Sequence, residues 1–340
     1  MKRIGNLFEK TFTIEALHLA FQTASKLKHS KRACFNFERS LGMNLKNLHR
    51  EIHSNRYKPM PYYSFLVYEP KQRRIFAPAF RDLVVQHAIY RTIYPVFNNT
   101  FIDQSFACRV GMGTHKAADY AQAAIKACDR EHYTLKLDIR KFFYRIDRAI
   151  LRTLMERKIK DERFVDLMCQ FTDYGDSVGI PIGNLLSQIY ALIYLNPLDH
   201  YIKRELKIKS YCRYVDDFIL FDITATQCVQ YQKQIEQFIT EELHLEFSRT
   251  TAAKVQRGIN FVGYRTWASK RFIRKHSLYN FHRAVKRSKL DSVISILGHA
   301  RKTHSLSPLL KHVKEHNHAL YLQLPKTYRR NSYSRIKSTG

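Results

Sequence analysis

The sequence is poor in residues that interrupt or cross-link a chain. Glycine and proline number 11 and 9 in 340 residues, gathered at a few turns, which excludes collagen-like and low-complexity architectures. The six cysteines, Cys34, Cys108, Cys128, Cys169, Cys212 and Cys228, form no CxxC pair. A disulfide framework or zinc module needs paired or clustered ligands, so these thiols read as small reduced hydrophobes. The 16 histidines include no HExxH and no Cys-linked arrangement. No uncharged apolar run reaches the ~18 residues of a membrane helix, so no membrane partner is expected. No repeat with a period of about 20–50 residues occurs either. Acidic residues are scarce as well: 29 Asp plus Glu stand against 58 Lys plus Arg, a formal charge of +29.

Such a surplus cannot be neutralised internally, and the folded surface must carry a positive field suited to a polyanion. An apolar share of 45% and an aromatic share of 13% exclude a disordered basic tail. The opening segment, MKRIGNLFEKTFTIEALHLAF, contains Glu9 and Glu15 and no signal-peptide core, so a cytoplasmic location is expected.

Helical spacing runs through residues 13–53, with a break near Leu41-Gly42. FLVYEP, a basic KQRR and IFAPAF then predict a hairpin with an Arg-rich turn, followed by a helix from about 81 to 97 that ends at Pro95. Residues 114–130 and 148–171 read as helices, and YTLKLDI (133–139) alternates as a strand. A Gly/Pro-punctuated loop, YGDSVGIPIGN, opens onto LLSQIYALIYL, a helix apolar on all sides and therefore buried. Two short strands flank a Val-Asp-Asp turn within 211–221, and GINFVGYRTW (258–267) reads as one more strand. Strands and helices alternate without the Gly-rich βαβ phosphate signature, so the expected fold class is α+β, with a palm-like sheet.

Two acidic sites stand out. Asp138 ends an apolar strand, and Asp216-Asp217 sit at a hairpin tip 78 residues later. Adjacent carboxylates repel one another and resist joint ionisation where they are partly buried. A solvated turn is the plain account of Asp-Asp, yet YCRYV before it and FILF after it are strands that such a turn does not need. A bound divalent cation resolves the conflict, because Mg²⁺ takes oxygen ligands from carboxylates and substrate phosphates. Two such ions can activate a sugar 3′-hydroxyl and stabilise departing pyrophosphate.

CRYVDDFILF resembles the YxDD motif of reverse transcriptases, and LKLDIRKFFYRID resembles their first palm aspartate segment. RRIFAPAFRDLVVQHAIY is similar to their fingers motif, and QSFACRVGMGTHKAA to the segment between fingers and palm. VGIPIGNLLSQIYALIYL resembles the template and nucleotide-pocket loop with its helix. FITEELHLEFSRTT and GINFVGYRTW resemble the last palm strand and the primer grip. Seven blocks in family order, from roughly residue 55 to 267, make the resemblance specific. It implies a right-hand polymerase with catalytic Asp138, Asp216 and Asp217. Two Mg²⁺, for which Mn²⁺ can substitute, would be held by these three and Ile139.

One loop departs from most relatives, which carry Gln-Gly after the proline and Ser-Pro in the next turn. Here it reads Pro181-Ile182-Gly183-Asn184, then Ser187-Gln188. This IGxxxSQ form resembles the reverse transcriptases of diversity-generating retroelements, whose error-prone copying opposite template adenine feeds variation into a target gene. Pro181, Ile182 and Gln188 are the template and fidelity-loop residues that it implies. A hydrogen-bonding pocket discriminates strongly and an apolar surface weakly, which links Ile182 to that behaviour; the alternative is that Ile182 only packs the loop.

The same resemblance implies the supporting roles. Arg73, nine residues before Asp82, is the triphosphate-contacting arginine, with Arg74, also able to offer planar donors, either a backbone contact or a solvated charge and Lys71 a weaker candidate. Phe143 would lie under the sugar, although Phe142 or Tyr144 can take that place and one of the three must be core. Gly183 and Gly179 would let backbone approach the nucleotide. Gly263 and Tyr264 would form the primer grip, and Tyr214, two residues before Asp216, would share its face. Tyr62, Tyr63 and Phe65 read as core rather than base-stacking platforms.

The expected division is 1–130 N-terminal helices and fingers, 131–267 palm, and 268–340 a basic helical thumb. About 70 residues follow the primer-grip block, which leads to the expectation of a small thumb without an RNase H or HNH domain. Residues 254–340 hold 20 Lys plus Arg against Asp291 and Glu315, a surplus of 18, and YNFHRAVKRSKLDSVISIL within them has helical apolar spacing. The implied partners are dNTPs, a template RNA with flanking structured RNA, the cDNA product, and a small basic pentameric accessory protein; the implied source is bacterial or phage-encoded. Retron-, group II intron- and phage-defence-type reverse transcriptases are the nearest alternatives, and a non-catalytic RNA-binding protein is a more distant one.

Overall fold

The computed structural model describes residues 3–68 and 72–330. It mixes helices with antiparallel strands, the α+β class expected of the sequence. The strands in chain order are β1 (Tyr63–Val67), β2 (Arg73–Ala77), β3 (Tyr133–Ile139), β4 (Tyr211–Tyr214), β5 (Asp217–Ile223), β6 (Phe247–Lys254), β7 (Ile259–Phe261), β8 (Tyr264–Thr266) and β9 (Arg271–Ile273). Two compact units divide the chain. The first comprises residues 1–109, 137–209 and 231–250; the second comprises 110–136, 210–230 and 251–340. The division falls inside β3 and β6, and it does not follow chain order.

The first unit is built on long apolar helices. Leu185–His200 buries Leu186, Ile189, Tyr190, Ile193, Tyr194 and Leu198 among others, the all-round burial expected of its sequence. Helix Phe80–Asn98 buries Val84, Val85, Ala88, Ile89, Ile93 and Phe97. Its expected end at Pro95 is corrected: the ring sits in the last turn and the helix runs on to Asn98. A proline there costs one backbone hydrogen bond, and burial of Phe97 keeps the final turn in place. The single helix expected over 148–171 is two, Arg148–Glu156 and Glu162–Gln170. Asp161 caps the second by accepting from Phe164 N, and its other oxygen accepts from Phe8 N at 2.9 Å.

β1 and β2 form a two-stranded ribbon with Tyr63 opposite Ala77 and Val67 opposite Arg73. β2 carries the packed residues, with Phe76 buried, while β1 is largely exposed, which corrects the reading of its aromatics as core: Tyr63 is 73% and Phe65 41% exposed.

The second unit holds a four-stranded sheet in the order β4-β5-β3-β6, of which β3 and β6 continue into the first unit, and a three-stranded sheet β7-β8-β9. GINFVGYRTW, expected as one strand, is the β7–β8 hairpin, because Val262 (φ 43°) and Gly263 (φ 87°) both adopt positive φ and turn the chain. The basic C-terminal stretch folds into helices, including Lys275–Lys286, Leu290–Ala300 and Leu306–His316. They bury Phe281, Val293, Leu297 and Val313 in a common core with Tyr264.

Candidate active site

The candidate carboxylates divide between the units, Asp138 in the first and Asp216-Asp217 in the second. Asp138 is half-buried near the end of β3. The Ser248 hydroxyl donates to its Oδ1 and lies 3.2 Å from its carbonyl oxygen. After β3, Lys141 takes positive φ and starts the short Phe142–Arg145 helix. Of the three aromatics left open by the sequence, Phe142 is the buried one; Phe143 and Tyr144 remain half-buried.

That turn is clamped to the Gly/Pro loop. Ile180 N donates to Phe143 O at 2.8 Å, and Gly179 N donates to Ile146 O at 2.9 Å. A Cβ on Gly179 would lie 2.8 Å from Phe143 O and from Tyr144 backbone atoms. The loop also locks to the ribbon: Phe76 N donates to Ile182 O at 2.7 Å, and a Cβ on Gly183 (φ 100°) would fall 2.5 Å from Ile75 Cγ2. Behind the loop, Asn184 caps the apolar helix by accepting from Leu186 N, while its amide donates to Tyr62 Oη at 2.6 Å. Leu185 N donates to Gln86 Oε1 at 3.2 Å. Pro181 is buried, Ile182 half-buried, and Gln188 exposed on the first turn of the helix.

Arg73 and Arg74, both exposed, alternate along β2 and point to opposite faces of the ribbon. Arg73 shares its face with Ile75, the residue against Gly183. Arg74 donates to Ser64 Oγ at 3.3 Å and lies 5.6 Å from the Phe76 ring centre. Its face opens on a cleft of about 800 Å³ lined by Tyr57, Lys58, Tyr62, Phe76 and Tyr174, which sequence reasoning missed. The signal was present in the aromatic density of residues 57–63, but not its side. Asp82, buried, anchors this segment by accepting from Tyr57 Oη at 2.7 Å and Met60 N at 2.8 Å, and burial raises its carboxyl pKa. Lys71 lies outside the described residues.

In the second unit, β4 and β5 pair with Tyr214 opposite Asp217, leaving Val215-Asp216 as a two-residue turn. Tyr214 therefore shares a face with Asp217, not with Asp216 as expected, because Val215 at φ 59° ends the strand between them. A β-branched residue rarely adopts positive φ, and backbone strain of this kind gathers at functional sites. Arg213, wholly buried, supports the turn by donating from Nη1 to Val215 O at 2.9 Å. The flanks expected to be apolar are: Tyr211, Cys212, Phe218, Ile219, Leu220 and Phe221 are buried.

Lys136 on β3, which the sequence did not single out, sets its ammonium 2.6 Å from Asp217 Oδ2 and 2.8 Å from Asn260 O. This carboxylate is seated against a cation. Asp138 follows two positions along the same strand, on the same side as Lys136.

At the β7–β8 turn, Tyr264 is fully buried and stacks on His299 with ring centres 4.2 Å apart. Its hydroxyl donates to His299 O at 2.8 Å, and His299 Nε2 lies 3.4 Å from Gly263 O. Burial lowers the His299 pKa. The half-buried Val262 and Gly263 are thus the accessible part of this turn, and the Tyr264 side chain is its internal support.

Residues 68–266 match the family described as reverse transcriptase (RNA-dependent DNA polymerase). This is more than half of the chain, and the protein belongs to that family. It is an enzyme of the RNA-directed DNA polymerase class. It is 26% identical to protein YkfC of Escherichia coli K12, over 72% of this chain and 75% of that one. It is also 26% identical to the group II intron-encoded protein LtrA of Lactococcus lactis subsp. cremoris, over 48% of this chain and 29% of the relative. A 91 kDa protein in the cob intron of Schizosaccharomyces pombe is 30% identical over 36% of this chain and 16% of its own length. The chain thus spans less than a third of these intron proteins. Among solved structures, telomerase from Candida albicans superposes with a TM-score of 0.48 at 11% identity, over 79% of this chain and 61% of that one. No helix among the described residues is long and apolar enough to cross a membrane.

Proposed function

We propose that this protein copies a template RNA into adenine-mutagenic cDNA, as a reverse transcriptase of the diversity-generating retroelement type. The observation that carries this reading is the Pro181–Gln188 loop. Ile182 stands where the resemblance places an amide side chain, its carbonyl is tied to β2, and the exposed Gly183 follows it. A side chain without donors or acceptors cannot reject a mispaired base through an unmet hydrogen bond.

Reverse-transcriptase domains generally use divalent metal ions. The donor set here is hard oxygen, which matches Mg²⁺ and Mn²⁺, with Lys136 Nζ paired to Asp217 Oδ2. Asp138, Asp216 and Asp217, with Ile139, would hold two Mg²⁺ or Mn²⁺. Bound there, such ions supply activation of the primer 3′-hydroxyl and charge stabilisation on the leaving pyrophosphate. In this reading Arg73 binds triphosphate oxygens, Phe143 lies under the sugar, and Gly183 lets backbone reach the nucleotide. Lys71 is a further triphosphate donor, and Arg74, on the opposite face of the ribbon, is a nucleic-acid backbone contact or a solvated charge. Gly263 presents the primer grip, with Tyr264 behind it. Residues 1–130, 131–267 and 268–340 serve as fingers, palm and thumb. The proposed setting is a bacterial or phage-encoded cytoplasmic enzyme, working with structured RNA and a basic pentameric accessory protein.

A second reading, a group II intron-like, retron-like or phage-defence reverse transcriptase without the mutagenic role, is favoured by the intron-encoded relatives. One assay separates the two: magnesium-dependent incorporation of dNTPs on an RNA template, followed by sequencing of the cDNA. Errors concentrated opposite template adenine, and shifted by Ile182→Gln, support the first reading. Errors no more frequent at adenine than elsewhere support the second. Asp216→Asn and Asp217→Asn are each expected to lower incorporation by more than the roughly hundredfold typical of outer-shell losses; unchanged incorporation would overturn the catalytic assignment.

A further inference from the structure

Away from the carboxylates, the fold brings together three side chains that the sequence scattered among unremarkable positions. His29 lies in the turn after helix Ile14–Ser25, and Cys34 and Glu38 lie on helix Arg32–Arg39. One donor atom from each, a ring nitrogen, the thiol sulfur and a carboxylate oxygen, lies within 4.8 Å of the other two. This is the one such group among the described residues. We propose that His29, Cys34 and Glu38 form a binding site for a soft or borderline divalent cation of the zinc class.

The local structure explains the convergence. Cys34 and Glu38 are four residues apart and share a helix face. Cys34 is 1% exposed, so that face is anchored inward. The preceding turn doubles back through Lys28 N to Ser25 O at 2.7 Å and Lys31 N to Lys28 O at 2.9 Å. It delivers His29 Nδ1 to 3.0 Å from Glu38 Oε2.

Zinc bonds of about 2.0–2.3 Å at tetrahedral angles set donors roughly 3.3–3.8 Å apart, so adjustments of about 1 Å by two side chains reaching the surface suffice. Thiolate and carboxylate together neutralise a dication; the thiol proton leaves to solvent as the metal binds. That neutralisation matters beside Lys26, Lys28, Lys31 and Arg32, which would repel a cation held by neutral ligands. Three protein donors leave a fourth position for water. Sulfur and nitrogen ligands also separate this site from the all-oxygen aspartates, which favour Mg²⁺. Bound metal would fasten the 26–31 turn to the helix. The plain account is a surface His29–Glu38 hydrogen bond over a buried thiol.

Cobalt(II) distinguishes the two. The chelator-treated full chain is titrated with Co²⁺ in excess Mg²⁺, which keeps the aspartates occupied. The expected result is one equivalent bound, with tetrahedral visible absorption and a thiolate-to-cobalt charge-transfer band. Cys34→Ser should abolish that band, with the five other cysteines as internal control. His29→Gln and Glu38→Gln, both at partly exposed positions, should weaken binding at least tenfold, the lower end for displaced ligand support. Absence of the band, its survival in Cys34→Ser, or unchanged affinity in both surface variants would overturn the proposal. If Cys34→Ser does not fold, the two surface variants decide alone.

Discussion

Arg73 and Arg74 are neighbours in sequence and strangers in space. The β alternation turns Arg73 toward the Ile75–Gly183 side of the ribbon and Arg74 toward Ser64 and Phe76. In the proposed reading, only the first can act where Gly183 would admit a nucleotide. Arg73→Ala is therefore expected to raise the dNTP KM about tenfold or more, the loss of one charge-assisted contact. Arg74→Ala should leave it within about threefold. Steady-state kinetics on an RNA template checks this, and a larger effect at Arg74 would reverse the assignment. Motif spacing assigned the triphosphate to Arg73 but left Arg74 between a backbone contact and a solvated charge, since a strand's facing depends on what packs beneath it. The same holds for Phe142 and Phe143: consecutive aromatics look alike until one is seen buried.

Short elements carry the strain. The β7–β8 turn needs positive φ at Val262 and Gly263, and a Cβ on Gly263 would lie 2.8 Å from His299 Nε2. Gly263→Ala should cost about 1–3 kcal/mol, part from φ and part from the clash. His299→Ala removes the clash, so the double variant should recover a share of the loss in a urea-unfolding cycle. Additivity within about 0.5 kcal/mol would show that contact with His299 is not the cause. The strand YTLKLDI was legible to the residue, because its alternation is local and its ends are marked. The 258–267 hairpin was not: a Val-Gly turn of two residues leaves the strand pattern nearly unbroken. Pro95 misled for the opposite reason, since a strong local stop signal was outweighed by burial of Phe97.

At the scale of the whole molecule, charge and stability respond to solution conditions in opposite parts of the chain. Residues 254–340 carry a surplus of 18, and among the described residues Lys286, Arg287 and Lys289, at and just beyond the end of helix Lys275–Lys286, are exposed. If this surface follows nucleic-acid phosphates, the logarithm of affinity falls linearly with the logarithm of salt concentration. Replacing Arg287 and Lys289 by Gln should then reduce the slope by about one to two, and an unchanged slope would place the contact elsewhere. Stability responds through His87 in helix Phe80–Asn98, whose pKa is lowered to about 4, first by burial and then by Lys28. Above pH 6.5 the ring is neutral folded or unfolded and contributes nothing. Between pH 6.5 and about 4 only the unfolded chain takes up the proton, so stability falls across that window and levels below it. His87→Gln should flatten this part of the urea-midpoint profile. Equal profiles would exclude His87 as the source.

By itself the sequence determined the class of partner, the α+β alternation, the buried Leu185–His200 helix and the identity of the acidic positions. These follow from composition, short periodicities and motif order, all properties of neighbouring residues. Tertiary structure alone decided which face Arg73 and Arg74 present, that Tyr264 supports its turn from inside, that Lys136 meets Asp217, and that His29, Cys34 and Glu38 converge. Each of these depends on segments far apart in the chain, or on which side of an element is covered, and no local pattern encodes that.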